Sequence, residues 1–142
     1  MTYEKIKNHE KLTAIYHHWP SFHDSEIVSA HLERDAGEPL TGPVLTLKLH
    51  VFRLEVAPDD PGRDNRLVTF RFNGIERLQL REFNHQNAII EFAISSHYCE
   101  RLKKDVFSVH LKQGFGIDCS FECATIEMVA VEPFTPRSYG GL

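Results

Sequence analysis

The sequence predicts a mostly β chain of the α+β type, with one N-terminal amphipathic helix followed by about seven antiparallel strands in a sandwich or a partly open barrel. Three observations predict it. Apolar residues recur at spacings of three and four only within residues 4–18; from Phe22 onward the apolar period drops to two; and clusters of Gly, Pro, Asp and Asn separate the alternating runs. Strands that alternate in this way bury one face and wet the other, so the sheet must close its apolar face on itself or on a second sheet.

The helix rests on "EKIKNHEKLTAIYHH", where Ile6, Leu12, Ile15, Tyr16 and then Trp19 form one stripe among Lys and Glu. Pro20 disfavours helical geometry at Trp19, which predicts the stop there and a turn through Ser21. The first strand is expected over 22–34, with Phe22, Val28, Ala30 and Leu32 in one phase. That phase places Asp24 and Glu26 on the core side, and His23 and Ser25 on the other. The next strands follow from Leu45, Leu47, Leu49 and Val51; Val68, Phe70 and Phe72; Ile90, Phe92 and Ile94; Phe107, Val109 and Leu111; Ile117, Cys119, Phe121 and Cys123; and "TIEMVAV". Turns are expected at "DAGEPLTGP", "APDDPGRDN", "NHQN" and "QGFG". Two interruptions, near Val51 and Phe52 and at Gly74 in "FRFNGIERLQL", predict bulges or bends where the sheet curls. The β region then runs over 22–132 and a tail over 133–142, within a single domain of 1–142.

Composition narrows the function classes. The 142 residues are 42% hydrophobic and 25% charged, which fits a globular domain large enough to bury a core. The polar N-terminus lacks a secretory apolar segment and no apolar run is long enough to span a bilayer, so a cytoplasmic location and no membrane partner are expected. A net charge of −4 gives no footprint for nucleic acid and suits a basic protein partner. Cys119 and Cys123, four apart on one strand, would lie ~13 Å from each other, too far to bridge, so free buried thiols are expected.

The densest cluster of reactive side chains is "HHWPSFHDSEI", residues 17–27. His-Asp phosphohydrolase chemistry needs further ligands on neighbouring helices, and only one helix is expected. His17 and His18 would point about 100° apart on a helix, and zinc-type spacings are absent, so no metal site is assigned. No nucleophile elbow, phosphate loop or dinucleotide fingerprint occurs, so no catalytic residue and no cofactor is assigned either. An inward Asp24 carboxylate would have to accept hydrogen bonds from turn amides or the Trp19 indole. The motif is therefore expected to be a structural corner. A cleft between helix and sheet near His18, His23 and Asp24 is the alternative, for a small ligand or a metal. Asp59, Asp60 and Asp64 in the "VAPDDPGRDN" loop are candidate rim residues for a basic partner, and exposed strand edges allow a homodimer.

"WPSFHDSEI" after a short amphipathic helix resembles the immunity protein 50 family of bacterial polymorphic toxin systems. The arrangement of "VTFRFNGIERLQL" and "FSVHLKQGFGIDCSFECATIEMVAVEP" is also similar, so the resemblance covers residues 10–134. It implies a small cytoplasmic antidote, not an enzyme, that neutralises a cognate toxin by stoichiometric binding. Trp19, Pro20, Phe22, His23, Asp24 and Glu26 are the motif residues it marks, without assigned roles.

Overall fold

The computed structural model describes residues 2–34 and 42–136. The "DAGEPLTGP" turn lies mostly outside the described residues, as does the end of the tail. After a 3-10 turn at Thr2–Lys5 comes α1 (Glu10–Tyr16), then β1 (Glu26–Glu33), β2 (Val44–Val51), β3 (Arg66–Asn73), β4 (Glu76–Arg81), β5 (Ala88–Cys99), β6 (Lys104–Phe115), β7 (Asp118–Cys123) and β8 (Thr125–Pro133). All eight strands belong to one antiparallel sheet in the order β4-β7-β6-β5-β1-β2-β3-β8.

That sheet has two halves. Strands β4-β7-β6-β5 and β1-β2-β3-β8 meet at a single ladder pair, Glu26 with Ala88. The halves face each other: Phe70 and Phe72 of β3 meet Phe92 of β5 and Phe121 of β7, at ring separations of 5.1 and 4.8 Å for the pairs 70–92 and 72–121. The chain crosses between halves at Gly74 and Ala124. Gly74 has φ +69°, and a Cβ there would lie 2.9 Å from the Ala124 methyl, so this bend needs glycine. The sandwich and the open barrel are thus the same object, two halves joined by the Glu26–Ala88 pair and by the Gly74 and Ala124 crossing, where Ala124 N–H donates to the Asn73 carbonyl at 2.8 Å.

The alternation holds in most strands. Leu45, Leu47, Leu49 and Val51, then Val68, Phe70 and Phe72, then Phe107, Val109 and Leu111, then Ile117, Cys119, Phe121 and Cys123 are all buried. Each such aliphatic or aromatic side chain contributes about 1.5–3 kcal/mol of burial. The "QGFG" turn is the β6–β7 hairpin.

Some expectations need correction. The helix is short: residues 6–8 leave helical geometry, Asn8 has φ +63°, and Lys7 pairs with Glu127 at the outer edge of β8, donating to the Ile126 carbonyl at 2.9 Å. An edge strand offers the backbone a partner that outcompetes a marginal first helical turn. The helix also ends earlier, with His17 as a left-handed cap at φ +66°, so Trp19 lies beyond it. The bend expected at Gly74 is present, and the run after it is its own strand, β4, paired with β7 and not with β3. The break near Val51 is the end of β2, whose register with β3 is regular to Val51 and Arg66.

The last correction concerns phase. Strand structure starts at Glu26, and a bulge between Ile27 and Ser29 turns Val28 out, while Ala30 and Leu32 keep the core side opposite Leu47 and Leu45 and are exposed there. A second bulge in β5, around Ile89 to Glu91, buries Ile89 and turns Ile90 out. Each extra residue offsets the phase of the residues before it from that of the residues after it.

Candidate functional site

The motif is the hinge of the sandwich. Trp19 stacks on Tyr3 at 5.1 Å and meets Phe22 edge-on at 5.5 Å; Phe22 in turn packs on Phe92 at 5.1 Å. Pro20 is buried as well. Phe22 and Asp24 both have left-handed backbones, at φ +61° and +65°, and Ser25 N–H donates to the Phe22 carbonyl at 3.0 Å to close the turn. A bulky residue in that region is strained, and here the strain is held by burying the Phe22 ring.

The turn is stitched to β5 by backbone bonds on both sides. Asp24 N–H donates to the Ile89 carbonyl, Ile89 N–H to the Ser25 carbonyl, and Ile27 N–H to the Asn87 carbonyl, each at 2.9 Å. These bonds join the two halves on this side of the sandwich. The Asp24 carboxylate takes no part: its side chain is 61% exposed and lies 3.6 Å from His23 Nε2. The expectation of an inward Asp24 was therefore wrong, because residues 22–25 form a turn, and Ser25 is the buried polar residue instead. His23 faces out as expected, with Nδ1 3.1 Å from the Ile90 carbonyl oxygen.

The cleft between helix and sheet is small. Tyr16, His18 and His23 line a cavity of about 60 Å³, whereas Asp24 lines a different opening. That opening, along the junction of β1 and β5, is a groove of about 1000 Å³. Its walls are the start of β1, the loop after β2, the loop before β5 and Phe134. Val28, Leu54 and Phe83 present half-exposed apolar surface in it, and Asp24, Glu26 and Glu55 bring carboxylates.

Two titratable groups of the groove are shifted. Burial raises the Glu26 carboxyl above the usual carboxylate range, against a 3.3 Å hydrogen bond from the Asn87 amide. Burial lowers His50, whose ring lies between Phe52 and Phe134 at 5.1 and 5.0 Å, with Nε2 2.7 Å from Asn65 Oδ1. Arg63 brings a guanidinium to the groove, stacked 3.7 Å over the Phe52 ring.

The acidic loop divides by role. Asp60 caps the 3-10 turn at Pro61–Arg63 by accepting from Gly62 N–H at 2.7 Å. Asp64 is tied to Arg66 at 2.7 Å, and Asp59 is exposed. Among the described residues, no three His, Cys, Asp or Glu side chains are grouped to hold a metal ion, and no helix is long and apolar enough to cross a membrane. The sequence pointed to the motif but not to Val28, Leu54, Phe83, His50 or Asn87 around the groove. Its one signal for the groove was the lost alternation after Val51, where the loop forming one wall begins.

No curated protein and no solved structure matches the chain. A family model described as immunity protein 50 does match it, over residues 8–134, and the chain belongs to that family.

Proposed function

We propose that this immunity protein neutralises a cognate toxin by stoichiometric binding, acting in the cytoplasm of a bacterium and without turnover. The observation that carries the proposal is the groove at the β1–β5 junction. It combines half-exposed Val28, Leu54 and Phe83 with the carboxylates of Asp24, Glu26 and Glu55, the mix of apolar anchor and charged rim that protein interfaces use. The motif residues serve it in two ways: Trp19, Pro20 and Phe22 hold the corner, while Asp24 and Glu26 face the groove. Exposed Asp59 and Asp60, on the loop that continues the same wall, add to the field that attracts a basic toxin; Asp64 contributes less, being paired with Arg66.

Co-expression with the product of the adjacent gene tests this. Restored growth of a poisoned host, with a stable complex on purification, is the expected result. Association should also slow as salt rises. A neighbour whose toxicity this chain does not relieve would reject the antidote role.

A further inference from the structure

Among the described residues, the outer edges of β8 and β4 and the slot between β1 and β5 leave backbone groups without a full strand beside them, and the two outer edges are protected. The outer edge of β8 is met by Lys7, and Lys11 Nζ donates to the Val129 carbonyl at 3.0 Å. β4 is short and charged, with Arg81 3.3 Å from Asp118 and Glu76 held by Arg101 at 2.7 Å. Charge, brevity and covering segments are the usual defences of an edge.

The slot between β1 and β5 is different. β1 pairs with β2 along its whole length, to Glu33 with Val44, but its pairing with β5 ends at Glu26 and Ala88. On the β5 side of this slot the edge is partly covered: His23 lies on the Ile90 carbonyl, and Lys5 Nζ donates to Ser96 Oγ at 2.9 Å. On the β1 side, from Val28 to Glu33, no strand lies beside the backbone among the described residues. The strand "EIVSAHLE" contains neither Lys nor Pro.

Its side chains invite a partner too. Ala30 and Leu32 lie opposite Leu47 and Leu45, so they are on the core face of the sheet, yet Leu32 is 54% exposed and Ala30 is exposed as well. The core face is left open there because, among the described residues, no strand continues the sheet. Val28, in the bulge, leads directly into the groove and its carboxylates.

Resting on the antidote role proposed above, we infer that the free edge of β1 at Val28–Glu33 takes an extended, basic segment of the toxin as an added strand. The incoming backbone pairs with β1, its apolar side chains cover Val28, Leu32 and Leu54, and its Lys or Arg side chains reach Asp24, Glu26 and Glu55. Charge selects this occupant over a second copy of the chain. Two copies joined through β1 would bring their own acidic grooves together, whereas a basic segment neutralises them.

The test uses the full chain, the product of the adjacent gene and a ten-residue peptide of alternating Lys and Val. Val28→Lys combined with Leu54→Lys should weaken the toxin complex by about 30-fold or more, while the thermal melting of the free chain stays unchanged because both positions are exposed. Hydrogen exchange should slow at residues 28–33 in the complex, and more weakly with the peptide. Full affinity in the double variant with unprotected 28–33 would overturn the inference while leaving the antidote role standing. If the adjacent product does not bind the wild-type chain, the antidote role falls and the peptide alone decides the groove: protection supports it, none overturns it. Protection of 28–33 that grows with the concentration of the chain alone would assign the edge to a second copy and also overturn the inference.

Discussion

The Tyr16 hydroxyl donates to the Asp64 carbonyl oxygen at 3.1 Å and is 3.3 Å from the Val51 carbonyl oxygen, so one phenol at the end of α1 ties down both ends of the loop that walls the groove. Arg53 adds to this knot, its guanidinium 5.2 Å from the Tyr16 ring centre and hydrogen-bonded to the Ile15 carbonyl at 3.3 Å. Burial, helped by the charge of Asp64, pushes the phenol up to about 12. Tyr16→Phe keeps the ring but strands the two carbonyls, and should cost about 1 kcal/mol in urea denaturation at pH 7. The raised phenol also has a pH consequence. Stability from the neutral hydroxyl is complete below pH 10 and is lost as pH rises toward 12, so the gap between wild type and Tyr16→Phe should shrink over that range. A constant gap would remove the hydroxyl as its source.

The motif separates into an anchor and an exposed turn, and two substitutions distinguish them. Phe22→Ala empties a site packed on Trp19, Phe70 and Phe92, and should cost about 3–5 kcal/mol. Asp24→Gly removes only an exposed carboxylate from a left-handed position that glycine accepts freely, so melting should stay within about 0.5 kcal/mol of wild type. A large loss in Asp24→Gly would restore a structural role to the carboxylate.

Much of the fold was legible because a period of two is written wherever a strand keeps its register. β2, β3, β6 and β7 bury every residue that their alternation nominates. The failures sit at bulges and turns. The bulge after Ile27 turned an apparently inward Val28 outward, and two left-handed residues made a turn of what reads as continuous strand through Asp24. Neither position carries Gly, the usual signal, so tertiary contacts set these conformations. The same slip hid the groove: its apolar wall at Val28 looks like core in the sequence. Helix length failed for a related reason, since the competing partner of residues 6–8 is β8, over a hundred residues away.

The three cysteines should differ sharply in reactivity. Cys119 and Cys123 are free and buried, and burial pushes both thiols up to about 12, Asp118 adding to the effect at Cys119. Reaction needs a thiolate in reach of the reagent. Under native conditions at pH 8, mass spectrometry after iodoacetamide treatment should find modification at half-exposed Cys99 alone, with all three modified in denaturant. Native labelling of Cys119 or Cys123 would mean that β7 opens locally.

Acid and base act in opposite senses on the groove through Glu26 and His50. The folded chain holds the Glu26 proton more tightly than the unfolded chain, whose carboxyl keeps the ordinary value of 4.5. Its contribution is therefore complete below pH 4.5 and is lost as pH rises through the raised value. His50 is the reverse: its folded value is below the ordinary 6.5, so its contribution is present above pH 6.5 and is lost as pH falls. With Asn65 Oδ1 as acceptor, Nε2 carries the proton of the neutral ring, and a second proton would place a charge between Phe52 and Phe134. Glu26→Gln should gain stability at pH 7, by less than about 1 kcal/mol since the carboxylate is partly solvated, and should match wild type at pH 4. His50→Gln should cost about 1–2 kcal/mol at pH 7 from lost ring packing, yet lose less on going from pH 7 to 5 than wild type does. Urea denaturation of the three proteins at pH 7, 5 and 4 checks both statements. If His50→Gln loses as much stability between pH 7 and 5 as wild type, the acid sensitivity belongs to groups outside the groove. If Glu26→Gln gains nothing at pH 7, the carboxylate is adequately solvated in the free chain, and a basic partner would gain little by neutralising it.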